Sequence, residues 1–440
     1  MNVRIEAYKI IQKVLSKNIF SDKLLKHMTK KLKAADKNAH LLYFLVKGVI
    51  KMHKNLEYIA SLHTDDKKYA KTDKNVKYLI YLGLYQMIYS DNIPDYAAIN
   101  ETVEIAKKKF NKGIAHFVNA VLRSYQRKPE LSYPKDKVKN LAYKYSFKED
   151  QIKTWLSYWG EENTTILCKY FNQVPKLHIR VNNLKTNIEE IIKYFNDNKI
   201  SFKKSDLVSN ILISDEARKI LNCSAFQDGL FSIQDSSAAL VVELMSPQID
   251  ESILDLFAAP GGKSTYCAEI MENSGEIISV DKFPYKIKKL KKSVHKLGLR
   301  NIQMNAIDAF EFGPVAPAYD RVLLDVPCTG WGVFQRKSEL RWQAHQKIKE
   351  LQKIQRHALS RGAKFVRPGG FLIYSTCTLN RRENEDMIEY FLEKHKDFKL
   401  VPAENYIPRK CTANGYLKTL PFKDNMDGAF AAKLQKDKGV

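Results

Sequence analysis

Cysteine is scarce in this chain, and its placement excludes the common structural uses of the residue. The 440 residues contain no Cys-x-x-Cys pair and no cysteine and histidine cluster at zinc-site spacing. We therefore expect neither a disulfide framework nor a metal site. The cysteines are Cys168, Cys223, Cys267, Cys328, Cys377 and Cys411.

Long apolar runs are also missing. The longest apolar-rich stretch, residues 79–89, is interrupted by Gly83 and Gln86 and falls short of the roughly 18 residues that a membrane-spanning helix needs. The first residues include Glu6 and lead into an amphipathic pattern, unlike the apolar core of a signal peptide. We expect a cytoplasmic protein that does not insert into membranes.

Acidic residues are few relative to basic ones, 49 against 73, which gives a net charge of +24. Residues 1–160 hold 31 basic and 15 acidic side chains, a net of +16, whereas residues 161–280 come to −6 and residues 281–440 to +14. Such an excess favours a polyanionic partner, because each phosphate contact releases condensed counterions. Alternatively, the lysines simply cover solvated helix faces and bind no polyanion.

Apolar residues recur at helical spacing from Val3 to about Arg127, and strand patterns are missing there. This pattern predicts an all-α domain over residues 1–138, ending in a linker rich in proline and charge. Residues 139–232 are predicted to form linker helices and a small α/β subdomain, with strands near 177–181 and 211–213. From residue 233 to 440, apolar strand runs alternate with helices, which predicts an α/β fold with a doubly wound sheet.

A glycine-containing loop follows the first strand of that sheet, and small residues in such a loop let the backbone approach a ligand closely. A Walker A loop needs glycine where Phe257 stands, and the Gly-x-Gly-x-x-Gly of a dinucleotide loop is absent. The loop consists of Phe257, Ala258, Ala259, Pro260, Gly261, Gly262 and Lys263.

Two acidic residues follow the next strands. Asp281 is placed to accept hydrogen bonds from ribose hydroxyls, and Asp308 to reach an adenine edge. With the loop, they predict a pocket for an adenosine without a triphosphate. Solvated loop acids are the alternative.

Two cysteines follow later strands of the same sheet. Cys328 ends the run Asp325-Val326-Pro327-Cys328, and Cys377 lies in Thr376-Cys377-Thr378. A lone cysteine is normally a small buried hydrophobe, but two thiols at one sheet edge beside a carboxylate favour catalysis. Spacing alone does not assign different roles to the two.

These motifs resemble a known family. Residues 234–433 resemble S-adenosylmethionine-dependent RNA cytosine-C5 methyltransferases, whose hallmarks are Ala-Ala-Pro-Gly-Gly-Lys, Asp-x-Pro-Cys and Ser/Thr-Cys-Thr/Ser. Residues 100–107 and 117–123 resemble the NusB-type RNA-binding helical domain. This fusion is similar, over nearly the whole chain, to the RsmB (Sun) type of bacterial small-subunit ribosomal RNA methyltransferase.

The resemblance implies a Rossmann-like class I methyltransferase domain preceded by a NusB-like domain and a small RRM-like subdomain. It implies S-adenosyl-L-methionine as cofactor, small-subunit (16S) ribosomal RNA as partner and 5-methylcytosine as product. Cys377 is then the nucleophile that adds to cytosine C6, Cys328 assists release, and Asp325 faces the N3 and N4 edge of the base. The loop 257–263 with Asp281, Asp308 and Asp325 would bind the cofactor, and we expect a monomer.

Basic side chains are candidates for gripping phosphates. They are the run 286–296 with Arg336, Arg341, Arg356 and Arg361. Arg180 is expected either to contact RNA or cofactor or to form a structural ion pair.

Two other functions compete with this prediction. One is a noncatalytic RNA-binding assembly factor with an idle methyltransferase fold, which the two cysteines and Asp325 disfavour. The other is an ATP-hydrolysing P-loop protein, which Phe257 disfavours. A transfer RNA substrate also stays open, because related enzymes share the same core.

Overall fold

The computed structural model describes residues 2–17, 19–31, 37–313, 318–343 and 346–438. The chain forms two compact units. The first is Met1–Gln173 with Phe334–Ala344, and the second is Val174–Val333 with His345–Val440. The predicted boundaries at 138/139 and 232/233 divide the chain differently and stay a prediction.

The described residues of the first unit form helices joined by loops and contain no strand, which confirms the all-α prediction made for residues 1–138. Its helices pack around one apolar core, to which Leu42, Leu79 and Val118 contribute fully buried side chains. Polar side chains start several helices; for example, Asn111 accepts a hydrogen bond from the backbone N–H of Ile114 at 2.9 Å. The helices are α1 Val3–Lys17, α2 Ser21–Lys31, α3 Lys37–Lys51, α4 His53–Leu62, α5 Asp66–Lys71, α6 Lys74–Tyr89, α7 Asp95–Lys109, α8 Lys112–Arg127, α9 Lys137–Tyr145 and α10 Glu149–Asn172.

Residues 334–343 also belong to this unit, and they correct one prediction. Arg341 is fully buried, so it is not available to RNA phosphates. Its guanidinium donates to the side-chain oxygen of Asn172 at 2.8 Å and to the carbonyl oxygen of Phe171 at 2.8 Å, and it lies over the ring of Phe147. Arg341 is therefore a structural residue of the helical unit.

The second unit begins with a small antiparallel sheet whose strand order is β2-β3-β1-β4. Its apolar face packs on α11 through Ile191 and Phe195. The predicted strands at 177–181 and 211–213 are both confirmed. The elements are β1 Leu177–Val181, α11 Ile188–Asp197, β2 Lys203–Lys204, β3 Ile211–Ser214, α12 Ala217–Asn222, α13 Ser224–Gln227 and β4 Phe231–Ile233.

A large mixed sheet forms the rest of this unit, in the order β11-β12-β13-β9-β8-β5-β6-β7, with β10 also paired to β13. Strands β5 to β9 pair in parallel, whereas β13 runs antiparallel to β9, which confirms the doubly wound α/β prediction. The elements are α14 Ser236–Met245, β5 Ser252–Asp255, α15 Gly262–Ile270, β6 Glu276–Val280, α16 Pro284–Leu297, β7 Ile302–Asn305, β8 Tyr319–Asp325, α17 Gln346–Phe365, β9 Val366–Thr376, α18 Glu385–Lys394, β10 Phe398–Val401, β11 Thr412–Ala413, β12 Tyr416–Thr419, α19 Pro421–Asp424 and β13 Ala429–Lys436.

The parallel strands have one consequence for function. β5, β6, β7, β8 and β9 all end at the same edge, so the predicted site residues that follow these strands share it. Among the described residues, no helix is long and apolar enough to cross a membrane.

Candidate active site at the carboxyl edge of the large sheet

The glycine-containing loop turns sharply between β5 and α15. Gly261 has a φ of +101°, and a Cβ atom there would lie 2.1 Å from a methyl group of Leu290. Only glycine therefore fits, because a side chain would be both strained and in collision. Since α15 begins at Gly262, the free N–H groups of its first turn face the edge where a ligand binds.

Asp255, the last residue of β5, stabilises this turn through hydrogen bonds. Its carboxylate accepts hydrogen bonds from the Ser264 hydroxyl at 2.6 Å and from the Phe257 N–H at 3.3 Å. Burial raises the pKa of Asp255 to about 7, although these hydrogen bonds lower it in part. Sequence analysis did not identify Asp255 as a site residue.

Arg180 proves to be a structural ion pair, one of its two expected roles. It is fully buried and donates to both carboxylate oxygens of Glu269, at 3.1 and 2.6 Å. It also donates to the carbonyl oxygen of Gly262 at 3.0 Å and to the side chain of Gln234. Arg180 therefore ties the small sheet to the start of α15.

The two predicted adenosine acids lie at the ends of β6 and β7. Asp281 is 7% exposed; it accepts from the Phe283 N–H at 2.9 Å and pairs with Lys286 at 3.2 Å. Asp308 is half-buried and accepts from the Phe310 N–H at 3.0 Å. Phe257 packs edge-on against Phe310, with 6.2 Å between ring centroids, so the loop and the Asp308 turn are in contact.

The two cysteines of the sequence motifs come together. Cys328 and Cys377 follow the neighbouring strands β8 and β9, and their Sγ atoms are 3.4 Å apart. The hydrogen bond with Cys377, then burial, then the charge of Cys377 and after it that of Glu383 hold the pKa of Cys328 well above its usual value. These surroundings therefore favour the protonated form of the Cys328 thiol.

Lys263 and Asp325 join the glycine-containing loop to the cysteine motifs. The Lys263 Nζ atom is 2.7 Å from Oδ2 of Asp325, and the Ser375 hydroxyl donates to Oδ1 at 2.8 Å. Burial lowers the pKa of Lys263, but the charge and hydrogen bond of Asp325, together with the charges of Cys377 and Asp255, outweigh it, so the net shift is upward. The pair is thus a lysine cation beside a carboxylate at the sheet edge.

Sequence reasoning missed Glu383 and Gln355. Glu383 is fully buried and its carboxylate contacts the residue after each cysteine, while Gln355 of α17 donates to it at 3.0 Å. Both residues are remote in sequence from Cys328, and no spacing rule connects them to it. Only the folded chain identifies them.

Comparison with known proteins gives matches along the whole chain. Residues 1–127 match the NusB family, residues 151–220 match the ferredoxin-like domain of RsmF/B-like methyltransferases, and residues 242–435 match 16S rRNA methyltransferase RsmB/F. The chain is 36% identical to a probable ribosomal RNA small subunit methyltransferase B of Bacillus subtilis, with 99% of both chains covered. The chain belongs to the RsmB/F family of 16S rRNA methyltransferases.

Further relatives agree with this membership. A probable ribosomal RNA small subunit methyltransferase B of Synechocystis is 34% identical, with 98% of each chain covered. The crystal structure of PH0851 superposes with a TM-score of 0.83 at 25% identity and covers 99% of each chain. Membership in RsmB/F selects the methyltransferase prediction over the ATP-hydrolysing one.

RsmB/F methyltransferases use S-adenosylmethionine, and the residues at the sheet edge fit this cofactor. The buried Nε2 atom of Gln234 has no hydrogen-bond partner among the described residues, and it lies 3.4 Å from the position of a Cβ at Gly262. A carboxylate bound at the start of α15 would satisfy this donor. Asp281 stands where an acid meets ribose hydroxyls in sheets of this kind.

Metal ligands do not gather in the part of the chain that the structure describes, where no three His, Cys, Asp or Glu side chains are placed to hold an ion. Of the predicted phosphate contacts besides Arg341, Arg336 and Arg356 are exposed. Arg361 donates to the carbonyl oxygens of Ala309 and Phe312, at 2.9 and 2.8 Å. Arg361 thus braces the loop after Asp308.

Proposed function

We propose that this RsmB/F methyltransferase transfers the methyl group to C5 of one cytosine in small-subunit ribosomal RNA, through a covalent bond between Cys377 and C6. The observation that carries the proposal is the pair of thiols, 3.4 Å apart at the ends of two adjacent parallel strands. The Lys263–Asp325 ion pair lies at the ends of the same two strands. Asp325 is the last residue of β8, and it accepts a hydrogen bond from the Ser375 hydroxyl of β9.

The chemistry explains why a thiolate is needed. Cytosine C5 is a weak nucleophile, and addition of the Cys377 thiolate to C6 pushes electron density onto C5. Bound S-adenosylmethionine supplies the electrophilic methyl group that C5 takes up. A base then removes the C5 proton, the electrons restore the C5–C6 double bond, and the Cys377 thiolate leaves as it entered.

Protonation favours Cys377 over Cys328 as the nucleophile. The raised pKa of Cys328 favours its protonated form, and the distance of 3.4 Å between the sulfur atoms allows that thiol to donate to the sulfur of Cys377. A neighbouring donor stabilises a thiolate before addition and again when it leaves. This arrangement supports the assignment of Cys328 to the release step.

Asp325 and Lys263 are proposed to receive the cytosine edge. Addition to C6 places negative charge on the ring around N3, and a proton donor there stabilises it. Asp325 accepts from Lys263 and Ser375, so its remaining lone pairs suit the N4 amino group, while the Lys263–Asp325 pair holds the proton needed at N3. The remaining proposed cofactor contacts are the loop 257–263 with Asp281 and Asp308.

The test uses the full chain with methyl-tritiated S-adenosylmethionine and unmodified small-subunit rRNA, digested to nucleosides. We expect label in 5-methylcytidine for the wild type and a loss on the order of 10⁴-fold or more for Cys377→Ala, because the covalent route is removed. Cys223→Ala, a half-buried cysteine of the small subdomain, is the matched control and should retain activity.

Three outcomes would count against the proposal. Label in another nucleoside would refute C5 transfer, and equal transfer by Cys377→Ala and wild type would refute the nucleophile. Failure to bind S-adenosylmethionine, with retained rRNA binding, would instead favour the noncatalytic assembly factor.

A further inference from the structure

Glu383 is a buried carboxylate located between the two cysteine loops. It closes the short 3₁₀ helix Arg381–Glu383 after β9, and its side chain is fully inaccessible to solvent. Oε1 accepts from the Thr329 N–H at 2.9 Å and from Gln355 Nε2 at 3.0 Å. Oε2 accepts from the Thr329 hydroxyl at 2.5 Å and from Asn380 Nδ2 at 3.3 Å. Three N–H donors and two hydroxyls, those of Thr329 and Thr378, converge on one carboxylate.

These contacts hold the chain on both sides of Cys328. Thr329 follows Cys328 directly, and Gln355 donates a second hydrogen bond to the carbonyl oxygen of Pro327 at 2.9 Å. The loop of Cys377 is attached too, because the hydroxyl oxygens of Thr329 and Thr378 are 2.7 Å apart and Thr378 reaches Oε2 at 3.5 Å. Glu383 therefore connects the residue after one cysteine with the residue after the other.

We propose that Glu383 is a positioning residue that holds the Cys328 thiol against the Cys377 sulfur and thereby sets the rate at which the covalent adduct is released. The inference rests on the proposed function, since release has meaning only if Cys377 forms the adduct. Glu383 acts through Thr329 and Gln355, whose donors its carboxylate accepts directly.

The charge of Glu383 adds to its geometric role. Burial raises the pKa of Glu383 itself, while the hydrogen bonds from Thr329, Gln355 and Asn380 lower it in part. Its negative charge is among the influences that raise the pKa of Cys328. Loss of the carboxylate should thus both loosen Cys328 and make its thiol more acidic.

Two substitutions separate these effects. Glu383→Ala removes every contact. Glu383→Gln keeps one carbonyl oxygen for the Thr329 N–H and Gln355, and its amide can donate to the Thr329 and Thr378 hydroxyls, so only the Asn380 contact is lost. Glu389→Gln, an exposed glutamate of α18, is the matched control. Circular dichroism and thermal unfolding establish that each variant is folded.

The first readout is the ratio of covalent enzyme–RNA complex, resolved on denaturing gels, to released 5-methylcytidine. We expect Glu383→Ala to raise this ratio on the order of 10- to 100-fold, as misplacement of a reacting group does, and Glu383→Gln to raise it less. Cys328→Ala should raise it similarly, and the double variant Cys328→Ala/Glu383→Ala should show no further rise, because both changes remove one function.

Opposite results would overturn the inference. If adduct and product fall together in Glu383→Ala at the wild-type ratio, the glutamate only stabilises the fold. If the double variant exceeds Cys328→Ala, the two residues act independently.

The second readout needs no RNA and no turnover. In the Cys377→Ser background, the pH dependence of iodoacetamide labelling at Cys328, followed by peptide mass spectrometry, gives the pKa of that thiol. Glu383→Gln should move the midpoint to lower pH, and an unchanged midpoint would contradict the electrostatic part. Failure of wild type to form 5-methylcytidine would refute the proposed function while leaving this measurement interpretable.

Discussion

A single buried acid, Asp255, supports the turn at the carboxyl edge of the large sheet and is costly to ionise there. Its side chain is 1% exposed, yet it organises the turn by accepting from Ser264 and Phe257. Burial raises its pKa to about 7, so the folded chain holds this proton at pH values where the unfolded chain has lost it. The residue that organises this turn is therefore one whose ionisation costs folding free energy.

The pH dependence of stability follows from that shift. Between the unfolded pKa of about 3.8 and the folded pKa of about 7, the native state binds more protons than the unfolded state, so this contribution falls as pH rises. Asp255→Asn removes the titration. We expect its free energy of unfolding, relative to wild type, to rise by a few kcal/mol between pH 4 and pH 8.

Urea unfolding at both pH values measures this difference. Asp250→Asn, an exposed acid in the loop before β5, is the control and should show no such trend. A constant difference between Asp255→Asn and wild type would contradict a raised pKa.

At the scale of the element, α16, which follows β6, is strongly basic. The helix has no acidic residue, and Lys288, Lys289, Lys291 and Lys292 are exposed along it. Phe283 and Tyr285 at its start are 39% and 59% exposed, directly after the predicted ribose acid Asp281. Exposed rings beside lysines suit single-stranded RNA, whose bases stack while its phosphates pair with cations.

Neutralising this helix should weaken RNA binding in a salt-dependent way. The slope of the logarithm of the rRNA association constant against the logarithm of the salt concentration is negative. For Lys288→Gln/Lys291→Gln/Lys292→Gln, we expect its magnitude to decrease by about two to three, because three phosphate contacts are lost. The matched control neutralises the exposed Lys193, Lys203 and Lys204 of the small subdomain. Filter binding at several salt concentrations measures the slopes, and equal slopes for the two triple variants would contradict a specific role of α16.

At the scale of the whole molecule, chain order and compact units do not coincide. Residues 334–343 lie between the cysteine motif after β8 and helix α17, both in the second unit, yet they pack within the helical first unit. Arg341 anchors them through Asn172 and Phe171, and Trp342 donates to the carbonyl oxygen of Ile50 at 2.7 Å. No single cut in the chain separates the two units.

Removing Arg341 should therefore destabilise the N-terminal unit although the residue comes late in the sequence. Arg341→Ala leaves several buried oxygens without donors, and we expect a loss of about 3 kcal/mol or more in the free energy of unfolding. Tryptophan fluorescence in urea reports mainly on this unit, which holds Trp155, Trp159 and Trp342, three of the four tryptophans. Lys337→Ala, exposed in the same segment, should change little, and equal midpoints for the two variants would contradict the anchoring role.

The sequence by itself determined the two fold classes, the family and the placement of Cys328, Cys377, Lys263 and Asp325 at one edge. These depend on local signals: hydrophobic periodicity, a glycine turn, and motifs at strand ends that a parallel sheet must bring together. The assigned roles of these residues stay predictions, as do the domain boundaries.

Only the tertiary structure decided which side chains contact each other from positions far apart in the sequence. Glu383 joins the two cysteine loops and Gln355 reaches them from another helix, while Arg180 and Arg341 are buried anchors whose sequence patterns also suit RNA contacts. A hydrogen bond between residues 28 or 54 positions apart leaves no periodic trace in a single sequence. Burial decides whether a basic side chain can contact RNA phosphates or instead forms hydrogen bonds inside the protein. Burial in turn depends on the packing of the whole chain.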